Sequence, residues 1–263
     1  MNGELGQLVA LVSYGNAIVS GRLETTALDE HATFDATSRV NFRYPSGTRS
    51  VSEWFGHLRI QGVDRLELDA IHQLASESVV EALPRNQRAS FKADGVPKIL
   101  AQTRRHTEVW QAEWTIVPLR QRTDDDVWTV EYRPIFSGPR LQLIHPAVSE
   151  STRALARSLQ RLEQFASVHC SNWVPLFQAA SKALVKPISA LSIDDSLLPT
   201  TPPDAARLYE AAAAGWIFGG MGSWTDLDFD DHETNDAYIR ATTDHYEATL
   251  RAIDAAANVR DAR

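Results

Sequence analysis

Residues 107–117 read TEVWQAEWTIV. Trp110, Ala112, Trp114 and Ile116 fall on one side of an extended chain, and Val109, Gln111, Glu113 and Thr115 on the other. Side chains of a strand alternate between faces, so this period of two predicts a strand with one aromatic, core-facing side. A polar stretch, 118–126, ends in Asp124-Asp125-Asp126. Trp128, Val130 and Tyr132 then repeat the pattern. Two such runs across a short polar loop predict an antiparallel pair with aromatics side by side.

Moving outward, residues 32–44 alternate through Phe34, Ala36, Ser38, Val40, Phe42 and Tyr44, and Pro45-Ser46-Gly47 turns the chain. Arg65–Ile71 alternates through Leu66, Leu68 and Ala70. Leu141–Ile144 reads as a further strand after the Ser137-Gly138-Pro139 turn. Between these lie helical signals. Ser50 stands three residues before Glu53, the spacing at which two side chains satisfy orphan amides of a first turn. Trp54, Phe55 and Leu58 follow on one face, and Gly62 suits the helix end. Leu5, Leu8, Val12 and Val19 predict a helix over 3–20, interrupted at Gly15. Ser76 caps a short expected helix that Pro84 stops, and Asp94-Gly95 marks a turn within polar 85–98.

Beyond Pro146, helical spacing dominates. Ser149 or Ser151 is the expected cap of a helix carrying Leu155, Leu159, Leu162 and Ala166. Pro175 fits the first turn of the next helix. Residues 186–203 hold four prolines and read as a loop, followed by an Ala-rich helix over 204–218. The last helix, about Glu233–Asn258, sets Ile239, Thr242, Tyr246, Leu250, Ile253 and Ala257 in one stripe. The fold expected is α+β, an antiparallel sheet from the N-terminal half packed against a helical C-terminal half. A single domain over 1–263 is the preferred division; a strand-rich 1–146 and a helical 147–263 is the other.

The formal charge is −8, with 34 acids against 26 bases. Such a field repels polyanions, and the short basic clusters Arg104-Arg105-His106 and Arg120 with Arg122 do not overturn it, which argues against nucleic acid as partner. One cysteine, Cys170, rules out an intrachain disulfide and a C-x-x-C metal site, and fits the cytoplasm. The N-terminal residues lack a basic start and a long apolar run, and no stretch reaches the length of a membrane span.

The most unusual window is Gly215–Glu233, GWIFGGMGSWTDLDFDDHE. Asp226, Asp228 and Asp230 stand at alternate positions, before Asp231, His232 and Glu233. In an extended segment they share one face while Leu227 and Phe229 share the other. A calcium loop begun at Asp226 lacks the glycine and glutamate its sixth and twelfth positions need. H-E-x-x-H is absent, because Thr234, Asn235 and Asp236 follow His232-Glu233. Gly219-Gly220-Met221-Gly222-Ser223 has no following lysine to complete a phosphate loop, and reads as a helix end at Gly219 or Gly220. G-x-S-x-G is missing too. His169 precedes Cys170, but neighbours on a helix point apart, and Cys is ordinarily a small apolar filler. Trp110, Trp114 and Trp128 fit a sheet core better than a binding platform. The expectation is therefore a non-enzymatic binding or assembly protein without cofactor. It contacts an unidentified protein partner through Trp216, Trp224, Asp226, Asp228 and Asp230. The alternative is a hydrolase or transferase using a divalent metal ion held by Asp226, Asp228, Asp230 and His232.

Overall fold

A computed structural model describes residues 3–71, 97–118, 120, 127–187, 197, 200–219 and 223–259. The expected Ser76–Leu83 helix, the Asp94-Gly95 turn, Asp124–Asp126 and Gly220–Gly222 lie outside the described residues.

The α+β class holds: among the described residues a six-stranded sheet forms in the N-terminal half and helices dominate the C-terminal half. The strands are β1 (Thr37–Tyr44), β2 (Gly47–Arg49), β3 (Arg65–Asp69), β4 (Lys98–Gln102), β5 (His106–Ile116) and β6 (Trp128–Pro139). Their order across the sheet is β2-β1-β6-β5-β4-β3. The expected β5–β6 pairing is present and antiparallel, with Ala112 opposite Tyr132 and Trp114 opposite Val130. The sheet is mixed rather than wholly antiparallel, because β1 runs parallel to β6. Alternation reports which side of a strand faces the core, not the direction of a neighbour distant in sequence.

Two helices from the N-terminal half cover the apolar sheet face: α1 (Gly3–Val19) and α2 (Val51–Ile60). Phe42 stacks on Trp54 of α2 at 3.8 Å and on Tyr132 of β6 at 4.6 Å between ring centroids. Ser50 and Glu53 form the expected reciprocal cap of α2, and Gly62 takes a left-handed φ of 71° just past its end. Gly15 does not interrupt α1. It lies inside the helix, where an added Cβ would press into Leu66 and Phe55, so glycine allows α1 to sit close on the sheet. Residues 32–34, expected as strand, form a single 3₁₀ turn before β1.

Residues 98–102 form a strand that alternation did not reveal, because all five are buried and both sides of β4 are covered. Leu141–Ile144, expected as a strand, has no ladder. Leu141 instead donates its amide to Thr107 Oγ1 and accepts from Gln102 Nε2, while Ile144 is exposed. The nearest sheet edge is already occupied. β3 is an edge strand, and its outward backbone groups are met by side chains from helices. Asn16 of α1 both accepts from and donates to Leu66, and Asn258 does the same for Leu68 at 2.8 Å each. Asp254 accepts from the Ala70 amide at 3.1 Å. Such cover removes the template that a bare edge offers to another chain.

The C-terminal helices are α3 (Val148–His169), α4 (Val174–Ala183), α5 (Pro203–Ala214) and α6 (His232–Ala257). They pack mainly on one another; α6 also reaches β3 and α1. α3 starts after Ala147 without a side-chain cap, so neither Ser149 nor Ser151 takes that position. α3 and α6 lie antiparallel, as Phe165 against Tyr238 and Arg161 against Asp244 show. The expected stripe on α6 is buried at Thr242, Tyr246, Leu250, Ile253 and Ala257. Among the described residues no helix is long and apolar enough to cross a membrane.

Candidate functional site

α5 ends at Ala214 with Gly215 as its C-cap, one turn earlier than the expected stop; Gly219, at φ 90°, serves the loop beyond. Trp216 is half-buried and donates its indole N–H to the Phe218 carbonyl. Trp224 is the mooring point of the segment. It is fully buried, with Phe165, Trp173, Phe177 and Tyr238 around its ring. Its indole N–H donates to Thr242 Oγ1 at 2.7 Å, and its carbonyl accepts the Tyr238 hydroxyl at 2.6 Å. Both partners lie on α6, so the segment is fastened to that helix by two polar links as well as by packing.

The D-L-D-F-D run alternates as its sequence predicts. Leu227 and Phe229 are half-buried, the latter 5.4 Å from the rings of Phe165 and Tyr238; Asp226, Asp228 and Asp230 are exposed. Asp226, Asp228 and Asp231 each accept a nearby backbone amide. Asp226 accepts from the Ser223 amide in a reciprocal cap, and Asp228 from the Phe229 amide. Asp231 caps α6 by accepting from the Thr234 amide at 2.8 Å; the Thr234 hydroxyl first, and that amide second, hold its carboxyl below the ordinary range. His232 is 90% exposed and lies 3.4 Å from Asp236, one turn along α6. Asp226, Asp228, Asp230 and His232 are thus not gathered around one point. Among the described residues no group of three or more His, Cys, Asp or Glu side chains is disposed to hold a metal ion. The Tyr238 phenol is pushed up to about 12, by burial first, with the charges of Asp226 and Asp228 adding to it.

Two polar centres emerge that no motif announced. His245, on α6, is fully buried. Its Nε2 lies 2.8 Å from the Gly215 carbonyl, which can only accept, so Nε2 carries the proton and Nδ1 faces Ser158 Oγ at 3.0 Å. Burial draws its pKa down to about 4, so it is neutral near pH 7. A serine beside a histidine suggests a nucleophile and base, but here the third partner is a carbonyl and both side chains are sealed in the core. The centre ties α3, the end of α5 and α6 together.

The second centre lies where β3 meets α6. His145 Nδ1 is 2.7 Å from Asp254 Oδ2, and its Nε2 is 3.8 Å from Glu67. Glu67 also meets Arg65 at 2.8 Å and Gln102 at 2.9 Å. Asp69 and Lys98, opposite each other on β3 and β4, are buried alongside. Burial would lower His145, but the two carboxylates outweigh it and raise its pKa to about 9. Burial raises Asp254 despite His145, and lowers Lys98 despite Asp69. A histidine held protonated through neutrality is not a general base there. Its geometry suits a clasp between the 140–147 connection, the sheet edge and α6.

Near β2, Tyr44 Oη lies beside Trp54 Nε1, and a Glu108 carboxylate oxygen beside Trp110 Nε1, as two buried polar pairs. Arg49 lies 4.1 Å over the Tyr44 ring, and burial raises the Glu108 carboxyl. Cys170 is half-buried with its thiol pushed up by burial, the opposite of an activated nucleophile. Trp110 is core, whereas Trp114 and Trp128 meet edge to face, half-buried, at one end of the sheet. No protein-family model matches the chain, and neither curated proteins nor solved structures provide a match.

Proposed function

We propose that this chain is a non-enzymatic binding or assembly protein whose contact surface is the 215–233 segment. The observation that carries the reading is the division of labour along Trp224–Asp230. Trp224, Leu227 and Phe229 face the body, while Asp226, Asp228 and Asp230 face solvent on a base fixed to α6. A row of carboxylates held in place meets a cationic protein partner without the entropy loss of ordering a free loop. Trp224 acts as anchor, which leaves the three aspartates and Trp216 as contacts. The negative field of the chain disfavours nucleic acid, and the single cysteine suits a reducing cytoplasmic setting.

The test replaces charge while keeping shape. Asp226→Asn, Asp228→Asn and Asp230→Asn together retain the fold, as judged by circular dichroism and thermal melting, and lose a partner captured by the unaltered chain. Equal capture by the triple variant refutes the reading.

A further inference from the structure

We infer that the partner surface for this acidic row is a groove of arginines between α3 and α6 on a second copy of the same chain; the inference rests on the function proposed above. The groove has a volume of about 330 Å³ and is lined by Arg157, Arg161 and Arg251 with Ala154, Ser158 and Ala248 as its small-residue floor. Asp244 and Glu247 also line it, and Asp244 is paired with Arg161 at 2.6 Å. Arg157 and Arg251 are exposed and, among the described residues, make no ion pair or hydrogen bond; the same holds for Arg153, one turn before Arg157 on α3. In a chain of net charge −8, unpaired cations gathered on one helix pair stand out.

Spacing supports the match. Arginines four residues apart on a helix repeat at about 6 Å along the axis. Aspartates two residues apart on an extended segment repeat at about 6–7 Å. Arg153, Arg157 and Arg161, the last already paired with Asp244, therefore form a ladder of nearly the same pitch as Asp228 and Asp230, which follow the 3₁₀ turn that ends at Asp226. Guanidinium and carboxylate groups pair through two parallel hydrogen bonds, which adds geometric selectivity to the charge match. Within one copy, among the described residues, no ion pair joins the two rows: Phe229 holds the acidic row beside Phe165 and His169, and Arg161 pairs with Asp244 instead. The two surfaces are different patches of the chain, so the contact is head-to-tail and extends to a ring or an open row.

Exposed ion pairs are individually weak, so the association is salt-dependent. Sedimentation velocity tests it on the full chain. The unaltered chain shows a concentration-dependent dimer or larger species at about 50 mM salt and loses at least about tenfold in affinity at about 0.5 M. Arg157→Glu with Arg251→Glu abolishes association, as does Asp228→Arg with Asp230→Arg. An equimolar mixture of the two double variants regains a dimer, because each supplies the surface the other lacks. A chain that is monomeric at every concentration, association unchanged in either double variant, or a mixture that stays monomeric overturns the inference. Binding of a duplex oligonucleotide in the groove, in place of self-association, overturns it as well. A distinct protein captured through the aspartates but indifferent to the arginine variant leaves the proposed function standing and removes this partner.

Discussion

Replacing His245 by Gln changes how stability responds to acid, and the size of the change follows from the burial of the imidazole. The folded pKa is about 4 against an ordinary 6.5. The folded value is depressed, so on acidification the unfolded chain binds the proton first. Stability is unaffected by this group above about pH 6.5, falls as pH drops below it, and levels off below about pH 4. At about 1.36 kcal/mol per pH unit, the loss reaches about 2 kcal/mol at pH 5. Gln has a donor for the Gly215 carbonyl and an acceptor for Ser158, but no titration. The variant is less stable than the unaltered chain at pH 8, and the gap closes by about 2 kcal/mol at pH 5. His145 does not imitate the effect. Its folded value is raised to about 9, so its contribution is complete below the unfolded pKa and is lost as pH rises through 9. Urea denaturation of both proteins at pH 8, 6.5 and 5 is the assay, with the difference between them read at each pH. A difference that stays constant from pH 8 to pH 5 refutes the assignment of a buried neutral imidazole.

Asn258→Ala removes two buried hydrogen bonds to Leu68 and is expected to cost about 2–4 kcal/mol in denaturant melts. It also raises aggregation measured by light scattering, because β3 regains an open edge. Trp224→Phe keeps an aromatic ring but removes the indole N–H that Thr242 Oγ1 accepts in a fully buried position, an expected loss of about 1–3 kcal/mol. The double variant with Thr242→Val recovers part of that loss; additive losses in the double-mutant cycle would falsify the link.

Legibility in the sequence followed how many sides of an element are buried. β5 and β6 were legible because their far face carries Gln111, Glu113, Glu131 and Arg133, and the same logic exposed the two sides of Asp226–Asp230; the expected faces fail at the ends of β5, where Ile116 is exposed at the strand's end and Val109 is buried at a register shift. β4 was silent because Lys98–Gln102 is covered on both faces. Leu141–Ile144 looked like a strand because its composition fits one, yet composition does not say whether a free edge exists. Gly15 read as a break because glycine is a poor helix former; the contact that needs it, against Leu66 and Phe55, joins segments remote in sequence. The His145 clasp draws on β3, β4 and α6, and no local spacing encodes it. His245 left one faint trace: it stands with Thr242 and Thr249 on the side of α6 that the apolar stripe marks as core, where a polar group must find a partner.

The cover of β3 also bears on how the chain is made. The residues that finish that margin, Asp254 and Asn258, lie 184 and 190 positions downstream of the amides they receive. During synthesis the strand therefore emerges long before its guard, and closing such a distant contact is slow. For that interval the nascent protein carries a naked ladder of peptide groups, which makes the ribosome-bound stage, rather than the finished molecule, its point of greatest exposure to chaperones and to misassembly.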